Sequence, residues 1–162
     1  MFSDDLAHRA SRALEAARAA QYRIVTAETC TAGLVAACLT SIPGASSVFE
    51  RGFVLYHDSA KATGLGVDEK ISKAHGAVSA AVTEGLALGA LQHSSAGVSV
   101  AVTGYAGPGG GTSENPVGTC FVAAATAAQG VLSERHVFSG DRNAVRLAAV
   151  GAALDLIVRR LG

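Results

Sequence analysis

A chain of 162 residues that is 49% apolar can bury a full hydrophobic core as one domain, which excludes a disordered tail. Thirteen Lys and Arg balance thirteen Asp and Glu. That balance argues against the basic face of a nucleic-acid binder and the basic cluster of a membrane-surface anchor.

Helical spacing of Leu6, Ala10, Leu14 and Ala17 predicts an amphipathic helix from Asp4 to about Gln21, capped by Ser3 or Asp4. Arg23–Ala27 is a short β-branched run and reads as a strand. Thr31 to about Ser41 is apolar and Ala-rich, and stops before Pro43-Gly44, so it reads as a buried helix. Val48–Tyr56 reads as a second strand, followed by a short helix from Ser59 to Leu65. Lys70 and Lys73 fall in a polar stretch with no predicted element. Ser79 caps a helix to about Gln92, and Val98–Val102 is a strand running into Thr103-Gly104. A glycine-rich loop fills residues 104–118. Thr119–Thr126 and Val131–Phe138 form a hairpin across Ala127–Gly130, and Asp141 or Asn143 caps a last helix to Arg160. Strands alternating with helices predict a three-layer α/β/α sandwich whose sheet is mixed but mostly parallel, filling residues 1–162.

The cysteines Cys30, Cys38 and Cys120 are odd in number and lack CxxC spacing, as reduced thiols of a cytoplasmic protein would be. Met1–Asp5 lacks the layout of a signal peptide, and no apolar run reaches the roughly 18 residues of a membrane span. Low net charge does little to oppose association, so a homo-oligomer is expected.

Four segments carry candidate chemistry. Ala27–Gly33 joins a strand to a helix, where ligands of open α/β sheets usually bind and free amides favour an anion. Thr29, Cys30 and Thr31 offer hydroxyls and a thiol there, against the plainer role of a helix cap. Tyr56–Lys61 follows the second strand and holds one of only three lysines; a lysine beside a hydroxyl can serve as its base. His57-Asp58 are adjacent, and adjacent residues rarely converge on one metal, so no metal is expected. Thr103–Thr112 is neither a Walker A loop nor a dinucleotide fingerprint, yet Gly107, Gly109, Gly110 and Gly111 can let backbone approach an anion. Arg142 stands in the first turn of the last helix, where its charge opposes the helix dipole and suits an anionic partner.

In their order, these segments resemble the C-terminal domain of the CinA (competence-damage-inducible) family. The family pattern Ala-Glu-Ser-Cys-Thr-Gly-Gly stands here as AETCTAG. His75–Ser79, the run AVTGYAGPGGG, Pro116–Thr119 and Gly140-Asp141-Arg142 match as well. The resemblance implies deamidation of nicotinamide mononucleotide to nicotinate mononucleotide and ammonia, without metal or cofactor. It implies Thr29 in the place of the nucleophilic serine, Lys61 as base and Tyr56 as a further catalytic group. Cys30 and Thr31 would receive the oxyanion, and Gly107, Gly109, Gly110, Gly111 and Arg142 would hold the phosphate. Thr29 replaces the family serine, Ala32 a glycine, and Asn115 a common lysine. Three readings follow: an amidase that uses Thr29, a relative that binds a pyridine nucleotide without turnover, and an oligomeric interaction module.

Overall fold

A computed structural model describes the whole chain, Met1–Gly162. Helix α1 (Asp4–Ala19) is capped by the Ser3 hydroxyl and buries Leu6, Ala10, Ala13, Leu14 and Ala17. Strand β1 (Ile24–Glu28) is buried throughout and leads through a turn into α2 (Leu34–Thr40). Strand β2 (Phe49–Val54) is followed by α3 (Asp58–Leu65), α4 (Glu69–His75) and α5 (Ala80–Gln92). Then come β3 (Val98–Gly104), β4 (Thr119–Thr126), β5 (Gly130–Val137) and the closing helix α6 (Arg142–Leu161).

The strand order is β2-β1-β3-β4-β5. Strand β1 pairs in parallel with β2 and β3, and the hairpin adds two antiparallel pairings. Four strands therefore run one way and β4 alone runs against them, a mixed sheet that is mostly parallel by direction. Helices cover both faces, as expected of a three-layer α/β fold. One face packs Val98, Val100, Val102, Val122 and Ala124 against α1, α2 and α6. The other packs Val25, Ala27, Ala101, Ala123 and Ala125 against α5. Alanine-rich strands let α5 lie close; Gly89 of α5 sits so near Leu65 that a Cβ there would meet the Leu65 carbonyl oxygen at 2.5 Å.

Apart from shifts of one or two residues at element ends, two features differ from the sequence reading. Helix α2 begins at Leu34 rather than Thr31, because Ala32 (φ 48°) and Gly33 (φ 94°) are left-handed and turn the chain first. Helix α4 fills the polar stretch at Lys70 and Lys73; it buries no residue, so it has no apolar stripe to reveal it. No helix is long and apolar enough to cross a membrane.

Candidate active site

The carboxyl ends of the parallel strands β1, β2 and β3 open onto one cleft, the place where open α/β sheets usually receive ligands. The cleft measures ≈ 190 Å³ and is lined by Thr29, Cys30, Tyr56, Lys61, Arg142 and residues around them. Side chains separated by more than a hundred positions in sequence thus converge on it.

The turn after β1 is fixed from inside by Glu28, which is 1% exposed. Its carboxylate accepts the Thr31 hydroxyl at 2.7 Å and the amides of Gly33, Val35 and Ala36 at 3.0, 3.0 and 2.9 Å. A carboxylate at a helix N-terminus satisfies the unpaired N–H groups and the positive end of the dipole. The Thr29 hydroxyl donates to the Val102 carbonyl at 3.0 Å. Backbone bonds from Ala32 to the Thr29 carbonyl and from Leu34 to the Thr31 carbonyl, at 3.1 and 3.0 Å, close the turn. The amides of Cys30 and Thr31 donate to no protein acceptor.

Lys61 is 4% exposed, and its ammonium donates to Asp58 at 2.7 Å and to the Ala77 carbonyl at 3.4 Å. A buried lysine needs such partners. The His57 side chain caps α3, so the His57-Asp58 pair is spent on local structure. No cluster of three His, Cys, Asp or Glu side chains is placed to hold a metal.

Arg142 lies at the start of α6, after the Asp141 cap, and donates to the Gly107 carbonyl at 2.7 Å and to the Tyr56 hydroxyl at 2.8 Å. Neither acceptor is charged, so its positive charge remains available to an anion at the cleft. One turn further along α6, Arg146 donates to the carbonyls of Cys30 and Thr31 at 2.9 and 3.2 Å. At the cleft floor, a Cβ on Gly104 would lie 2.6 Å from the Cys120 sulfur and 3.1 Å from that of Cys30. The Cys30 thiol is held below its ordinary range, first by the Cys120 thiol donating to it, with Thr29 and the Arg146 charge assisting against burial. Cys120 is pushed up correspondingly.

Of the residues singled out from the sequence, Thr29, Cys30, Tyr56, Lys61 and Arg142 meet at the cleft. Gly107 reaches it through its carbonyl on Arg142. Thr31 is fully buried and does not line the cleft with its side chain: its hydroxyl bonds Glu28, which leaves only its amide to face a ligand. Gly109, Gly110 and Gly111 stand outside the cleft lining. The loop folds back on itself through the bonds between Thr112 and Asn115, and Gly111 lies against the backbone at Val117. Sequence reasoning missed Glu28 and Arg146. Arg146 was findable, because it stands four residues after Arg142 and so on the same face of the helix.

The model of the CinA C-terminal domain matches residues 6–161. The nicotinamide-nucleotide amidohydrolase PncC of Escherichia coli K12 is 46% identical over 143 residues, covering 88% of this chain and 87% of that protein. A putative competence-damage inducible protein of Symbiobacterium thermophilum is 49% identical over 84% of this chain, which spans only 34% of that longer protein. Among solved structures, the competence/damage inducible protein CihA from Agrobacterium tumefaciens superposes with a TM-score of 0.95 at 39% identity, covering 98% of this chain and 97% of that one. The chain belongs to the CinA C-terminal domain family.

Proposed function

We propose that residues 1–162 act as one amidase domain that hydrolyses the carboxamide of nicotinamide mononucleotide. The observation that carries the reading is the convergence of Thr29, Lys61, Tyr56 and Arg142 on one cleft in a relative of PncC. In this reading, Lys61 as a neutral amine takes the Thr29 hydroxyl proton while the oxygen attacks the carboxamide carbon. The Cys30 and Thr31 amides receive the developing oxyanion. Collapse breaks the C–N bond, and Lys61 returns its proton to the departing ammonia. Water then hydrolyses the Thr29 ester, releasing nicotinate mononucleotide. Arg142, with Tyr56 held beside it, takes the phosphate. The reading needs no metal or cofactor.

A second reading is supported by two contacts. The Thr29 hydroxyl is committed to Val102 and Lys61 to Asp58, so nucleophile and base each have another partner. A domain that keeps both contacts binds the nucleotide without cleaving it.

Ammonia release from nicotinamide mononucleotide, with calorimetry on the same ligand, separates the two. Wild type is expected to release ammonia, and Lys61→Ala to lower kcat by about a thousandfold with unchanged circular dichroism. Binding without release selects the second reading, and neither binding nor release removes both.

A further inference from the structure

Arg146 does not itself line the cleft, yet it grips the backbone that the proposed chemistry depends on. It rises from α6, half-buried, and its guanidinium bonds the Cys30 carbonyl at 2.9 Å and the Thr31 carbonyl at 3.2 Å. In a trans peptide the carbonyl and the next N–H point in opposite directions. Holding the Cys30 carbonyl toward α6 therefore turns the Thr31 N–H away from α6. Holding the Thr31 carbonyl likewise orients the Ala32 N–H, which donates to the Thr29 carbonyl at 3.1 Å. That bond in turn fixes the Thr29–Cys30 peptide and aims the Cys30 N–H.

The two amides governed this way have no acceptor in the protein. Thr31 is fully buried and Cys30 nearly so, at 7% exposed. Buried N–H groups without a partner are rare and costly, and both directly follow the residue placed as nucleophile. Glu28 cannot set them, since it binds the Thr31 side chain and amides further along, from Gly33 onward.

We propose that Arg146 is a positioning residue for the amidase step: by gripping the Cys30 and Thr31 carbonyls, it holds the Cys30 and Thr31 amides aimed at the oxygen that gains charge. The inference rests on the amidase reading above. Two-point planar contact of this kind suits arginine and not lysine. Its benefit falls in the transition state, since the charge on that oxygen develops only there.

The test is steady-state ammonia release from nicotinamide mononucleotide by wild type, Arg146→Ala, Arg146→Lys and Arg146→Gln, each checked for folding by circular dichroism. For Arg146→Ala, kcat is expected to fall about a hundredfold while KM stays within about threefold, the signature of a contact made only in the transition state. Added ethylguanidine is expected to restore at least a tenth of the lost kcat in that variant and to leave wild type unchanged. Arg146→Lys, which keeps charge but loses the fork, is expected to remain at least tenfold below wild type. Should Arg146→Ala fail to fold, Arg146→Gln carries the same kcat and KM comparison. A loss confined to KM, activity tracking only the folded fraction, or no rescue overturns the proposal while leaving the amidase reading standing. Wild type without turnover removes the amidase reading and this inference with it.

Discussion

Residues 29–33 and residues 105–117 both leave an end of the same sheet and both approach the cleft. The first segment is gripped from two sides. Glu28 accepts four hydrogen bonds from it and from the start of α2, and Arg146 holds two of its carbonyls. The second is tied at its base by bonds between Tyr105, Gly118 and Thr119, and at its tip by those between Thr112 and Asn115. Between Ala106 and Gly111 the one hydrogen bond is the Gly107 carbonyl on Arg142. A segment that stabilises developing charge gains from being fixed beforehand, since it then needs no reorganisation during the reaction. A segment that closes on a ligand gains from low local stability. In the proposed reaction, the first segment would supply preorganisation and the stretch from Ala106 to Gly111 room to adjust, beyond the part of the loop that Arg135 also ties at Glu114 and Asn115.

The largest expected effect removes the inner grip. Glu28→Ala leaves the Thr31 hydroxyl and three amides without their buried acceptor. The loss is expected to cost about 4 kcal/mol, comparable to breaking a buried charged contact. At roughly 2–4 °C per kcal/mol for a chain of this size, calorimetry should show Tm falling by about 10 °C. A fall under about 3 °C would mean that the turn is held mainly by Arg146 and the packing of α2.

Next is Thr29, the proposed nucleophile. Thr29 keeps its hydroxyl on Val102 within a turn that has little room to adjust. Serine at this position drops the methyl and its restriction on χ1, so its hydroxyl can turn toward Lys61. Thr29→Ser is expected to raise kcat by about a hundredfold, equivalent to about 3 kcal/mol in the barrier. Thr29→Ala is expected to abolish ammonia release; equal rates for Thr29→Ala and wild type would exclude Thr29 as the nucleophile.

The loop side of the comparison is sharpened by two glycines. Gly111 has φ 79°, and a Cβ there would lie 2.7 Å from the Val117 nitrogen. A Cβ at Gly109 would meet nothing within 4 Å beyond its chain neighbours, and its φ is not in the left-handed region. Gly111→Ala is therefore expected to weaken nucleotide binding about tenfold, on the order of 1.4 kcal/mol, through a distorted loop. Gly109→Ala should leave affinity within about twofold, since it adds a methyl to open space and reduces only unfolded-state freedom. Equal losses in calorimetry would show the loop to be as rigid as the turn.

The alternation of strands and helices was legible because burial imposes its period on sequence, as in Val98, Val100 and Val102 facing α6 and Ala101 facing α5. The cleft residues Thr29, Tyr56, Lys61 and Arg142 were legible because each stands just past a strand or at a helix start. Helix α4 was not, since an element with no fully buried residue and only Ile71 packed against the core leaves no periodic pattern. Nor was the role of Glu28. A fully buried carboxylate in a strand is explained only by the three-dimensional position of the α2 amides it accepts. Nor were the separate demands on the loop glycines: Gly111 and Gly118 are required by close backbone approach within the loop and at Phe138, which glycine density alone does not reveal.

The smallest expected effect concerns Ala32, which stands where the family pattern has glycine. It is exposed and adopts φ 48°, the left-handed region that glycine enters freely and alanine at some cost. Ala32 therefore takes the left-handed turn despite its Cβ, and its amide reaches the Thr29 carbonyl. Ala32→Gly relieves roughly 1–2 kcal/mol of strain. It also returns about 0.4–1 kcal/mol of freedom to the unfolded chain. The net gain should be about 0.5 kcal/mol, a Tm rise of about 1–2 °C. Gln21 is a matched control: it is also exposed, has φ 59° at the end of α1, and is absent from the cleft lining. Gln21→Gly should raise Tm by a similar amount. If strain is the whole effect, both variants keep kcat within about twofold of wild type. A kcat gain in Ala32→Gly alone would mean that the alanine Cβ itself crowds the substrate at the turn.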